Sequence, residues 1–147
     1  MITMQFSVRP GQGEASGFDL GDMVWSGELG EARSAGHTPD QGMMIYLSVP
    51  LLLDGLVAWL RGRDRTLEFI GADTSFALTF RKEKRHLSLA SAAGPIGTAS
   101  AGELTEAVLR AAEQLAAEGL ASLPDTDSAR PDYLAALHAF RTEFPTT

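Results

Sequence analysis

Between Arg65 and Ala90 apolar and polar residues alternate in three successive runs, and no other feature of the sequence constrains the fold as strongly. Leu67 and Phe69 alternate with Thr66 and Glu68. Phe76, Leu78 and Phe80 then alternate with Ser75, Ala77 and Thr79, and Leu87 and Leu89 with His86 and Ser88. A spacing of two places the apolar set on one face of a strand, whereas a helix would scatter it around the axis. Gly71-Ala72-Asp73 and Lys82-Glu83-Lys84, which separate the runs, are short enough for hairpin loops. The segment therefore predicts an antiparallel meander over 65–70, 74–81 and 85–90, with one face buried.

The flanking sequence extends this pattern. Met4–Arg9 and Asp22–Leu29 alternate in the same way and predict two strands, and the polar stretch Gly30–Gln41 predicts a loop. Gly42–Val49 is a run of Met, Ile, Tyr, Leu and Val that suits a strand near the middle of a sheet, covered on both faces. Pro50 then fits the first position of a helix whose stripe is Leu53, Leu56, Val57 and Leu60, with Gly62 as a left-handed stop. The small residues of 91–102 leave room for a short strand around Ile96. Ser100 and Glu103 carry the spacing of a capping box, which opens a helix running to about Glu118 with Leu104, Val108, Ala111 and Leu115 on one face. Pro131 opens a last helix with Tyr133, Leu137, Phe140 and Phe144 inward. The order β-β-β-α-β-β-β-α-α predicts a single α+β domain over 1–147, with an antiparallel sheet of about six strands and three helices packed mainly on one face.

Composition narrows the function classes. A chain of 147 residues can bury roughly 70% of its unfolded surface without a staple. With no cysteine it has no disulfide, no thiolate metal site and no thiol nucleophile. No uninterrupted apolar run is long enough to span a membrane, and no basic-then-apolar leader opens the chain, so a soluble cytoplasmic domain is expected. The net charge of −7 is uneven: residues 1–49 carry −4, residues 50–90 carry +2 and residues 91–147 carry −5. An acidic chain with a basic middle argues against nucleic acid as the partner.

The meander geometry turns that basic middle into a candidate site. The start of its first strand and the end of its second lie at the same end of the sheet, which places Arg61, Arg63 and Arg65 beside Arg81, Lys82, Lys84 and Arg85. With Asp64 and Glu83 counted, this end carries +5 and the rest of the molecule −12. Such a dipole fits an anion or an acidic partner surface, while solvated charges guarding a sheet edge give the same pattern. No aromatic residue interrupts the clusters, so base stacking is not signalled.

The helix before the meander is apolar nearly all round, which calls for cover on several sides. That cover comes from this chain's own C-terminal helices or from another chain, in which case Trp59 is the interface anchor and a homodimer is one outcome. Ser34, His37 and Asp40 have the residue types of a hydrolytic triad but fall within one short loop, without a G-x-S-x-G elbow. His86 and His138 stand alone, and no metal-ligand spacing occurs. Gly94-Pro95-Ile96-Gly97 lacks the lysine of a phosphate-binding loop. No catalytic residue, metal or cofactor is therefore expected.

The stretch from Met43 to Leu56, MMIYLSVPLLLDGL, followed by Phe69–Phe76, FIGADTSF, resembles small uncharacterised actinobacterial proteins. Their size and organisation are similar to those of immunity proteins of bacterial toxin systems. The resemblance implies a stand-alone cytoplasmic domain that binds another protein, and it assigns no site residues. The function expected is thus non-enzymatic protein binding, of an immunity or accessory type. The alternatives are a small-ligand or anion-binding module using the basic end, and an enzyme with an unrecognised site.

Overall fold

The period-two runs form strands in the computed structural model, which describes residues 1–145. The elements are β1 (Thr3–Val8), β2 (Leu20–Ser26), β3 (Glu31–Arg33), β4 (Met43–Met44), α1 (Ile45–Arg61), β5 (Thr66–Ile70), β6 (Ala77–Lys82), β7 (Leu87–Ser91), β8 (Gly94–Ala99), α2 (Ala101–Gly119) and α3 (Ala129–Glu143). A single 3-10 turn, Leu120–Ser122, follows α2. The fold is α+β with three helices, and the expected single sheet of about six strands is two antiparallel sheets with eight strands in total. One runs β1-β2-β3 with β4 also on β2, and the other runs β5-β6-β7-β8. Of the additional strands, β3 spans three residues of the expected loop, too short to show a period, and β8 is the strand around Ile96, while β4 is what remains of the strand expected over Gly42–Val49.

The hairpin turn between β2 and β3 joins the sheets. The N–H groups of Leu29 and Gly30 donate to the carbonyl of Ile96 in β8, at 2.9 and 3.1 Å. Leu29 lies in this turn with its side chain 63% exposed, not on the buried face its alternation predicted.

The largest departure from the sequence pattern is at Gly42–Val49. Only Met43 and Met44 pair as strand, and α1 begins at Ile45 with Pro50 inside it. A continuous apolar run satisfies a buried strand and a buried helix alike. The spacing Ile45, Val49, Leu52, Leu56, Trp59 settles the matter in favour of a helix, because it continues one stripe through the proline. The buried stripe is therefore rotated from the expected one: Leu52, Leu53, Leu56 and Trp59 are buried, Val57 and Leu60 only partly, and Leu51 is 53% exposed. Ser48 is buried within this helix, donating to the Met44 carbonyl at 2.8 Å and accepting from the Ala72 N–H at 2.9 Å. Gly62 is extended, at φ −90°, not left-handed. It is glycine because a Cβ there would lie 2.6 Å from the Ala58 carbonyl oxygen.

The helical expectations for α2 hold closely. Ser100 Oγ accepts from the Glu103 N–H at 3.1 Å and Glu103 Oε1 accepts from the Ser100 N–H at 3.3 Å, a complete capping box. Leu104, Val108, Ala111 and Leu115 are buried, and Arg110 pairs with Glu106 at 3.2 Å. The Tyr133 hydroxyl of α3, buried, donates to the Ala112 carbonyl of α2 at 2.6 Å. Burial pushes that phenol well above its ordinary pKa. Tyr46 of α1 packs edge-on against Tyr133, with centroids 6.4 Å apart, so all three helices meet at this pair.

The core closes around Phe80. Trp25 of β2 lies 5.7 Å from its ring, Trp59 of α1 lies 5.9 Å away, and Phe6 of β1 lies 6.1 Å from Trp25. This cluster links both sheets to α1. Phe80→Ala opens a cavity where three elements converge and is expected to cost roughly 3–5 kcal/mol in urea unfolding, with a loss of near-ultraviolet dichroism from both tryptophans. Gly119 is in direct contact with the Tyr46 hydroxyl, leaving no space for a Cβ. Gly119→Ala is accordingly destabilising alone and close to neutral beside Tyr46→Phe, as a double-mutant cycle of urea midpoints will show.

Candidate functional site

Strand register assembles the basic end of the second sheet. Thr66 stands opposite Arg81, and the Lys82 N–H donates to the Arg65 carbonyl at 2.8 Å, so the entry to β5 and the turn after β6 are adjacent. All seven cations, Arg61, Arg63, Arg65, Arg81, Lys82, Lys84 and Arg85, therefore lie at one end of the sheet, but their surroundings differ. Arg61 ties α1 to the end of α3. Its Nε is 3.0 Å from Glu143 Oε1, its Nη2 donates to the Glu143 carbonyl at 2.7 Å, and its guanidinium lies 5.0 Å from the Phe144 ring centre. Arg65 donates to the Lys82 carbonyl at 3.2 Å and to Glu83 at 3.3 Å, and Arg81 lies 3.9 Å from Glu83. Lys82 donates to the Gly62 carbonyl at 3.0 Å with its ammonium 5.6 Å above the Trp59 ring.

Arg63, Lys84 and Arg85 remain. Each is exposed, and among the described residues none has an ion pair or a side-chain hydrogen bond. Three cations thus point to solvent from a hairpin end that four others brace. Trp59, the anchor in the case that another chain covers α1, is only 3% exposed and is packed on Phe80 beneath Lys82, within the core. The cover over α1 comes from this chain's own sheets and from α3.

Ser34, His37 and Asp40 do not come together as a triad. Ser34 is fully buried and donates to Asp22 at 2.6 Å, while the His37 Nε2 lies 2.7 Å from the Arg33 carbonyl oxygen. Asp40 instead faces Arg9. The Arg9 guanidinium binds two carboxylates at once: Nε and Nη2 donate to Asp22 at 2.8 and 2.9 Å, and Nη1 and Nη2 donate to Asp40 at 2.6 and 2.8 Å. The Met23 N–H closes the set by donating to Ser34 Oγ at 3.0 Å. This doubly bidentate clamp fastens the long loop after β3 to β1 and β2. The pairing signal was present in the sequence, since Arg9 and Arg33 are the only bases among the first 49 residues, but no local spacing linked Arg9 to Asp40.

Two concavities lie beside the helices. One, of about 280 Å³, lies between β1 and α2. The other, of about 560 Å³, lies between α1 and α3. Reading Leu47–Val49 as strand hid the second, because half of its wall belongs to the first turns of α1. Among the described residues no group of His, Asp or Glu converges as metal ligands do, and no helix is long and apolar enough to cross a membrane. In comparison with known proteins the chain matches no family model, no curated protein and no solved structure.

The clamp makes stability depend on pH with a definite sign. Hydrogen bonds from Arg9 hold Asp22 below the ordinary 3.8 against the opposing effect of its partial burial, and Ser34 adds to the lowering. Arg9 and then the Gly42 N–H hold Asp40 lower still. The unfolded chain therefore binds more protons in acid. The contribution is fully present above the unfolded value and is lost as pH falls through the folded ones. The urea midpoint is expected to be level from neutral pH down to about 5 and to fall below about 4, with the fall reduced in Arg9→Met. Asp22→Ala, which leaves Ser34 and one side of Arg9 without acceptors, is expected to cost about 1–3 kcal/mol at neutral pH in the same assay.

Proposed function

We propose that this chain is a protein-binding domain of the immunity or accessory kind, which engages an acidic surface of its partner through the basic end of the second sheet. The observation that carries the reading is the braced hairpin end. Arg63, Lys84 and Arg85 stand exposed there without carboxylate partners among the described residues, on a chain whose net charge is −7. A local positive field on an acidic molecule orients the approach of an acidic partner and repels a basic one, which raises the on-rate and selects the docking face. Four of the seven cations tie the neighbouring strands and α3 together, which holds the backbone that presents the exposed three.

Retention on immobilised heparin tests the reading, because the overall charge opposes it. The wild-type chain is expected to bind at low ionic strength and to elute with salt. Arg63→Glu with Arg85→Glu is expected to flow through, while the same charge change made on other elements, Arg33→Glu with Arg110→Glu, leaves retention in place. A wild-type chain that is not retained, or equal loss in both variants, overturns it.

A further inference from the structure

We propose that the groove between α1 and α3 docks a basic amphipathic helix of a partner protein, at a second surface independent of the basic end. The groove encloses about 560 Å³. Its α1 wall is Leu47, Pro50 and Leu51, and its α3 wall is the methyl groups of Ala135 and Ala139. Leu51 stands at the mouth, 53% exposed. Alanine side chains keep nothing between the α3 backbone and the groove, so a third helix can approach at the usual spacing of about 8–10 Å and pack its ridge between the other two.

The polar lining specifies the charge of the visitor. Asp54 and Asp132 line the groove, both are exposed, and neither has an ion-pair partner among the described residues. The Tyr46 carbonyl, from another lining residue, has no N–H to accept from at position 50, because proline carries none. Apart from Tyr46, whose phenol is buried against Tyr133, every residue lining the groove is apolar or anionic, and no lysine, arginine or histidine is among them. The complementary surface is an apolar ridge flanked by lysine or arginine, whose stems lie along Leu47 and Leu51 while their heads reach the aspartates. A second copy of this chain does not supply it, since its free cations sit on a polar hairpin end with no apolar ridge beside them.

Binding of a fluorescein-labelled Leu/Lys peptide with helical amphipathic spacing, read by anisotropy, tests the proposal. The expected result is saturable binding, far weaker for a scrambled peptide of the same composition and absent for the Leu/Glu counterpart. Asp54→Asn with Asp132→Asn is expected to weaken it about tenfold. Ala139→Trp, which fills the groove without changing charge, is expected to abolish it. Leu51→Lys at the exposed mouth repeats the block should tryptophan disturb the helices, with folding checked by circular dichroism. Arg63→Glu with Arg85→Glu leaves peptide binding intact, so failure of the groove and failure of the basic end are told apart. Binding that survives both blocking variants, equal binding of the scrambled peptide, or amide shifts at Ala135 and Ala139 produced by hexylamine but not by the peptide would overturn the proposal.

Discussion

The packing of Phe80 between Trp25 and Trp59 is the constraint on which the remaining architecture depends. Phe80 sits on a central strand of the second sheet, Trp25 on the central strand of the first, and Trp59 on α1. Edge-on and tilted rings fill this junction at interior density, and each adds favourable contact beyond its buried area. Both indole N–H groups are buried without a hydrogen-bond acceptor. An unpaired donor in the core costs free energy, which the packing of these rings has to offset.

The site geometry descends from the same junction. Arg81 and Lys82 are the last residues of β6 and follow Phe80 directly, and the pairing of Thr66 with Arg81 draws Arg65 and Arg63 beside them. Lys82 lies over Trp59, the partner of Phe80, so the basic end is continuous with the core. Arg61 fastens the end of α1 to the end of α3, the two helices that wall the groove. The anionic groove is walled by α1 and α3, while the three exposed cations stand on the short α1–β5 and β6–β7 connections.

The legibility of the sequence followed the length of each pattern. The strands β5, β6 and β7, the capping box at Ser100 and Glu103, and the inward faces of α2 and α3 were readable, because each repeats a spacing over several residues or meets a local hydrogen-bonding rule. The three-residue β3 was not, since it is selected by the strand it pairs with. The start of α1 was misread because Ile45–Val49 is apolar at every position except Ser48. The buried hydroxyl of Ser48 found its acceptor in the preceding turn and its donor in a loop 24 residues onward.

By itself the sequence determined the fold class, the number of helices and the gathering of seven cations at one end of a sheet, because periodicity and register are set by neighbouring residues along the chain. Only the tertiary structure decided that there are two sheets, that Trp59 belongs to the core, that Arg9 grips Asp22 and Asp40, and that three cations are left facing solvent. Each of these depends on which residues distant in the chain come within a few ångströms of one another. Burial and charge pairing are properties of such encounters, so no local spacing can encode them.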